Sequence, residues 1–374
     1  MKTLSRVTMV VVSCVLVTME LVSAQPPLPG NEPAESFTTE DYYRVDKIDV
    51  HAHIRTEDPR FVELAKRDRF RFVNIVTDSS GPEELRLRHT AAFAQLKAHP
   101  DRVIVASTFP MTGWDAPDWQ EKTIRFLDET FAKGAVAVKV WKNIGMVFRD
   151  KDGKLVMIDD PKLDPIFDHL AQKGIRVIGH LGEPRECWLP VERMVMHRGY
   201  YGSHPEYHMY LHPEMPSYED QISARDSMLQ KHPDLQFAGA HLGSLEWSVD
   251  KLGDFLDRFP KVIVETAARV RDLQYQSSLD HNKVRRFLIK YQDRIAYGTD
   301  LGVTATTTPE RAIENARRRW LADWNYFATD KPIEVRQLDE PVTGLQLPKR
   351  VVEKIYRLNA ERFFGGTFQD ASRH

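Results

Sequence analysis

The chain is poor in cysteine, has no excess of either charge, and has no apolar run that could cross a bilayer. Only two cysteines, Cys14 and Cys187, occur in 374 residues. That excludes a disulfide-stapled scaffold and a cysteine-rich zinc module. Lys plus Arg (52) nearly balance Asp plus Glu (54), for a formal net charge of −2. Phosphate-binding surfaces carry a clear basic excess, so no nucleic-acid partner is expected, nor a polybasic contact with a membrane. The apolar stretch Val7–Met19 has 13 residues, too few for a spanning helix. No glycine-rich loop follows the first strand candidate, which counts against a dinucleotide fold.

With 42% hydrophobic residues and 10% aromatics, the chain can bury a sizeable core. Its first 24 residues read as a secretory signal: Lys2 and Arg6, then the apolar run, then the small residues Val22-Ser23-Ala24. The expectation is cleavage before Gln25 and export to the periplasm or medium. The mature protein would carry charge −3 and one thiol, Cys187. The alternatives are an uncleaved anchor, or a lipoprotein through Cys14 in Val11-Val12-Ser13-Cys14. Residues 25–40, rich in Pro and polar side chains, read as a flexible lead-in to a single domain at 41–374.

From Tyr42 onward a short β-branched run alternates with a longer amphipathic one. Strands are expected at 45–51, 71–76, 102–108, 135–141, 175–180, 235–241, 261–266 and 294–299. Helical patterns occupy 82–98, 118–133, 161–173, 218–231, 247–259 and 278–290. Such alternation indicates βαβ units and a parallel sheet, and eight units favour a closed (β/α)8 TIM barrel. Three connections are oversized: 142–160, with a hairpin turn at Asp152-Gly153, then 181–217, then 301–345. They follow strands 4, 5 and 8, on the face where barrel active sites are built.

Polar residues close several apolar strands. His51 and His53 end the first, and their i, i+2 spacing puts both imidazoles on one face. His180 ends the fifth, His241 the sixth and Asp300 the eighth. Each alone reads equally as a helix cap or a hydrogen-bonded core residue, but their joint placement at one rim is what a metal site needs.

The motifs Asp49-Val50-His51-Ala52-His53, Gly179-His180, Ala240-His241-Leu242-Gly243, Tyr297-Gly298-Thr299-Asp300 and the closing stretch Lys354–Gly365 resemble the amidohydrolase superfamily. Within it they resemble the branch of aminocarboxymuconate semialdehyde decarboxylase, resorcylate decarboxylases, lactonases and hydrolases. The resemblance runs from about Val45 to Gly365. It implies that His51, His53, His180 and Asp300 bind a divalent metal, with His241 beside it polarising substrate or moving a proton. Three imidazoles and a carboxylate suit zinc best. A metal lowers the pKa of bound water to about 7, and Asp300 would be the general base that relays its proton.

Lys139, on the fourth strand, has three readings. In two-metal superfamily members a lysine there carries a bridging carbamate, so a second ion is one. A charged substrate contact and a structural ion pair are the others. Lys142 is a weaker candidate. Arg269, after the seventh strand, could grip a carboxylate through a planar fork, and Trp188 could stack on a ring. Arg185 reads as a surface ion pair and His204, His208 and His212 as lid structure. The expected function is an exported metal-dependent hydrolase of a small lactone, ester or cyclic amide. The alternative is a metal-dependent decarboxylase or hydratase acting on an unsaturated or aromatic acid. A non-catalytic barrel is a third reading, with the intact ligand set against it. A homo-oligomer is compatible with the sequence.

Overall fold

The computed structural model describes residues 35–365, and these residues belong to one compact unit. The signal segment and Cys14 lie outside the described residues. Of the lead-in, 35–40 are described and are tied to the domain. Ser36 bridges Pro348, Phe37 packs on Trp324 at 5.4 Å, and the Trp324 indole N–H donates to Thr38 O at 2.9 Å. No described helix is long and apolar enough to cross a membrane.

Nine parallel strands form the main sheet: β1 (Lys47–Arg55), β2 (Phe70–Ile75), β3 (Val103–Ser107), β4 (Ala135–Val140), β5 (Arg176–Gly179), β6 (Phe237–Gly239), β7 (Ile263–Glu265), β8 (Ile295–Ala296) and β9 (Leu301–Thr304). Their order is β8-β7-β6-β5-β4-β3-β2-β1-β9. β8 and β9 are two halves of one bent segment: the first pairs with β7, the second with β1. Between them Val50 N–H donates to Tyr297 O at 3.0 Å and Asp300 N–H to His51 O at 2.8 Å. These bonds close the sheet into the (β/α)8 barrel.

The strands are buried on both faces, as parallel strands under helices must be. Inside the barrel, Ile48, Val50, Val73, Ile75, Ile104, Ala106, Ile178 and Ile263 form one apolar cluster, with Phe363 and Phe364 packed against it. The helices cover the outside through a larger cluster that includes Phe70, Phe72, Trp320 and Trp324.

Two departures from the sequence reading matter for function. First, β1 runs past His51 to Arg55, because β9 supplies partners to Ala52–Arg55. Second, segment 301–345 is only partly a connection. It contains β9 and the 20-residue helix Pro309–Ala328, whose Trp320 stacks on Phe70 at 4.1 Å. The helix Val270–Leu279 was also not anticipated. By contrast, 82–98 and 218–231 are helical to the residue. The hairpin at 142–160 is present, with an Arg149–Leu155 bridge and Gly153 at φ 78°.

Candidate active site

A β-bulge in β1 builds the mouth of the barrel. Asp49 pairs with Phe72 and Ala52 with Asn74, so three steps on β1 match two on β2. The extra residue reverses the alternation. Ile48 and Val50 face the interior below the bulge, whereas Ala52 and Ile54 pack outward above it. His51 and His53 therefore also face inward. An unbroken strand would have put them on the side opposite Ile48 and Val50. Asp49, fully buried, anchors the bulge. It accepts from His51 N–H at 3.1 Å, Thr299 N–H at 3.0 Å and Thr299 Oγ at 2.5 Å. Burial pushes its carboxyl up to about 7.

Three of the imidazoles share one design. His51 Nδ1 lies 2.8 Å from Glu265 Oε1, His53 Nδ1 lies 2.8 Å from Ile75 O, and His241 Nδ1 lies 2.8 Å from Ala267 O. These oxygens only accept, so each Nδ1 carries the hydrogen and each Nε2 offers a lone pair. Burial holds His51, His180 and His241 well below the usual histidine pKa. His51 Nε2 and His53 Nε2 stand 3.5 and 3.2 Å from Asp300 Oδ1. Three acceptors thus face one another with no proton between them, an arrangement that a cation relieves. His180 Nε2 is buried with no partner, and its ring is 4.2 Å from that of His241. The His241 ring in turn lies 4.8 Å from that of His51. The ligand atoms of His51, His53 and Asp300 lie within 4.8 Å of one another and fit a divalent metal, whereas the structure places His180 against His241, outside that group.

Glu265 was missed by the sequence reading. It closes β7 just as the other polar residues close their strands, and that signal was available. Its ligand atoms lie within 4.8 Å of those of His51 and His241, but its oxygens are already committed. Oε1 accepts from His51 Nδ1–H and from His241 N–H, each at 2.8 Å, and Oε2 accepts from Ala267 N–H at 2.5 Å. It orients His51 rather than coordinating an ion. Gly298 leaves it room: a Cβ there would stand 2.7 Å from Glu265 Oε2 and 3.1 Å from His51 Cβ.

Backbone strain is concentrated here. His241, Leu242, Gly243 and Ser244 are four consecutive residues near φ 60°, and Ala268 and Asp300 have φ 55° and 63°. For residues other than glycine this region costs roughly 1–3 kcal/mol each and persists only where surroundings enforce it. The 241–244 turn is held by Glu265 on His241 N–H, by Tyr218 OH on Ser244 O at 2.5 Å and by Ser244 Oγ on Gly182 O at 2.9 Å.

Lys139 projects into the same space, fully buried, with Nζ 3.4 Å from His51 Nε2. Burial lowers it to about 8, against the pull of Glu265 and Asp300. Lys142 is buried and pairs with Glu183, on which Tyr201 OH also donates at 3.2 Å. Trp188 lies within the 181–217 segment. Its indole N–H donates to Pro216 O at 3.1 Å and its ring sits edge-on to Tyr218. His204, His208 and His212 bond the carbonyls of Tyr200, Leu189 and Pro205, also within that segment. Arg185 stacks on Trp247 at 4.2 Å.

A family model described as amidohydrolase matches residues 48–366. The chain belongs to the amidohydrolase family. This amidohydrolase is similar in fold to two solved decarboxylases. One is 2,6-dihydroxybenzoate decarboxylase from Rhizobium, at 16% identity and TM-score 0.50, covering 86% of this chain and 99% of that one. The other is a dihydroxybenzoic acid decarboxylase from Polaromonas with bound manganese and 2-nitroresorcinol, at 15% identity and TM-score 0.51, covering 86% and 97%. No curated protein sequence matches the chain.

Proposed function

We propose that this amidohydrolase is an exported, metal-dependent hydrolase of a small molecule with an activated C–O or C–N bond, such as a lactone, ester or cyclic amide. The observation that carries the reading is the convergence of His51 Nε2, His53 Nε2 and Asp300 Oδ1, with His180, whose Nε2 is buried without a partner and whose ring lies against His241, as the fourth ligand of the proposal. A divalent ion there, zinc on the chemistry of the donors, would lower the pKa of a bound water to about 7 and polarise a carbonyl.

The protein's own groups divide the remaining work. Asp300 is the ligand open to solvent, its side chain 36% exposed, so it can meet both water and substrate. It takes the nucleophile's proton and delivers it to the leaving group. Burial alone would raise its pKa, but the imidazoles of His53, His51 and His241 around it hold it well below the usual carboxylate range, so it starts ionised. His241 donates Nδ1–H to Ala267 O and meets substrate with a bare Nε2. It therefore acts first as a proton acceptor and donates only after protonation. A second ion would require a carbamate on Lys139, and metal stoichiometry tests this.

The alternative is decarboxylation, in which His241 or Asp300 moves a proton to or from the ring or alkene carbon. The neighbours of the same fold that act on dihydroxybenzoates favour keeping it. The two separate on one measurement: incorporation of labelled water oxygen into product supports hydrolysis, and release of CO₂ supports the lyase. Asp300→Asn should lower turnover by about 100- to 10,000-fold. Near-wild-type turnover in that variant would remove Asp300 from proton transfer.

A further inference from the structure

Arg269 is buried in the loop after β7, where its charge acts on Glu246 and on His51, His180 and His241, and so belongs to the mouth of the barrel. A separate groove of about 490 Å³ lies on the outside of the wall, between the helices Pro82–Ala98 and Trp119–Ala132. Both helices follow parallel strands, so both begin at the mouth end and run down side by side. Pro82 and Pro110, the latter just past β3, stand at the upper end of the groove, and Lys133, just past the second helix, at the lower. The lining from Pro82 to Phe93 alone covers about 16 Å at 1.5 Å per residue, so the shape is a long slot. It is closed below, where a Cβ on Gly134 would stand 3.1 Å from Leu96 Cδ2.

The polar atoms of the lining are spent inside the protein. Thr90 Oγ1 donates to Arg86 O at 3.0 Å and Thr130 Oγ1 to Leu127 O at 2.8 Å. His89 meets Leu85 O through Nδ1 at 3.1 Å and Ser107 Oγ through Nε2 at 2.9 Å. Burial pushes His89 down to about 4, so its ring is uncharged at neutral pH. That ring lies nearly parallel to Phe93 at 6.2 Å and edge-on to Phe126 at 5.6 Å. Leu85 joins the slot to a small apolar cluster with Val76, Ala92, Val105 and Ala135, separate from the main core. What the slot offers a visitor is therefore carbon surface.

The charge at its rim has one sign. Arg86 and Lys133 line the slot and no carboxylate does. Arg86 is matched by Glu83 at 2.7 Å, whereas the Lys133 ammonium has no hydrogen bond or ion pair among the described residues. Contiguous apolar surface left open to water marks a place of interaction, and an unmatched cation at one end of it calls for an anion there. We propose that this slot is a binding site for a medium-chain alkyl carboxylate, with the chain between Phe93 and Phe126 and the carboxylate on Lys133. The length of the slot suits a straight chain better than a single ring. None of its lining residues belongs to the barrel mouth, so the site stands apart from the metal reading.

The test uses the protein as purified and four probes below their micellar concentrations: octanoate, 1-octanol, octyltrimethylammonium and acetate. Calorimetry should show one octanoate per chain, bound about two- to five-fold tighter than 1-octanol, the worth of one exposed ion pair. Octyltrimethylammonium should be the weakest of the three chains, and acetate should not bind. Chelation should leave octanoate binding unchanged, and its loss on chelation would place the carboxylate on the metal instead and overturn the proposal. Lys133→Glu should reverse the order of octanoate and octyltrimethylammonium. Thr90→Trp puts an indole into the slot and should abolish binding of all three chains at an unchanged melting temperature. A wild type that binds no octanoate overturns the proposal, as does an unchanged order in Lys133→Glu or full octanoate binding in folded Thr90→Trp. A wild-type dimer that Thr90→Trp dissociates, seen by sedimentation, would make the slot a contact between copies and overturn it too. Photo-crosslinking with octanoate bearing a diazirine on its chain locates the site without any variant: labels on 82–93 and 126–133 support the slot, and labels elsewhere overturn it.

Discussion

Replacing Glu265 by glutamine tests whether His51 is oriented by the carboxylate beneath it. Three N–H groups point at Glu265: His51 Nδ1–H and His241 N–H at Oε1, and Ala267 N–H at Oε2. A glutamine has one acceptor oxygen and one donor amide. With its oxygen toward His51, its NH₂ opposes Ala267 N–H. With the amide reversed, it opposes His51 and His241, and His51 must shift its hydrogen to Nε2, the atom meant for the metal. Either way at least one buried donor loses its acceptor, at a cost of about 1–3 kcal/mol. Expressed wholly in metal binding, that weakens affinity by roughly 5- to 150-fold, in line with the 10- to 100-fold typical of groups that orient metal-ligating histidines. Competition against a chromophoric chelator measures the constant, and a thermal melt confirms that the variant is folded. A folded Glu265→Gln protein that binds zinc within about two-fold of the wild type would refute the reasoning.

His53→Ala removes one proposed ligand, and the purified variant should lose most of its bound metal and fall by several orders of magnitude in rate, as read by metal analysis and turnover. Gly298→Ala places a methyl 2.7 Å from Glu265 Oε2 and 3.1 Å from His51 Cβ. It should destabilise by about 1–3 kcal/mol and weaken metal binding, visible as a lower melting temperature and a weaker zinc constant. Lys47 lies under the barrel wall, fully buried, its Nζ on Tyr42 O and Val45 O at 2.5 and 2.6 Å and above the rings of Tyr42 and Phe70. Burial lowers its pKa to about 7 despite Asp68 and Asp46. The unfolded chain keeps its proton up to about pH 10.4, so between these values the unfolded state binds more protons and folding gains as pH rises. Chemical denaturation from pH 7 to 10 should show the wild type gaining on Lys47→Met by at most about 1.4 kcal/mol per pH unit. A flat difference would contradict the depressed pKa.

The alternation of β-branched and amphipathic runs determined the barrel, because burial on both faces forces an apolar strand and one-sided burial forces an amphipathic helix. The polar residues His180, His241 and Asp300 stood out because each interrupts an apolar strand at its end, where local pattern is enough to expose them. Glu265 carried the same signal, but carboxylates at strand ends are common, and only its three N–H partners, from residues 51, 241 and 267, show what it does. The helix Pro309–Ala328 begins behind a threonine run that reads as a loop, and its apolar face is settled by packing of Trp320 on Phe70. The phase of β1 could not be read at all. Strict alternation sets His51 and His53 opposite Ile48 and Val50, and only the bulge paired against β2, pinned by Asp49 to Thr299, turns both sets inward. Local sequence thus determined which elements form and which residues are chemically equipped. Pairing between segments some 250 positions apart decided which way those residues face, because register is a property of two strands together and of neither alone.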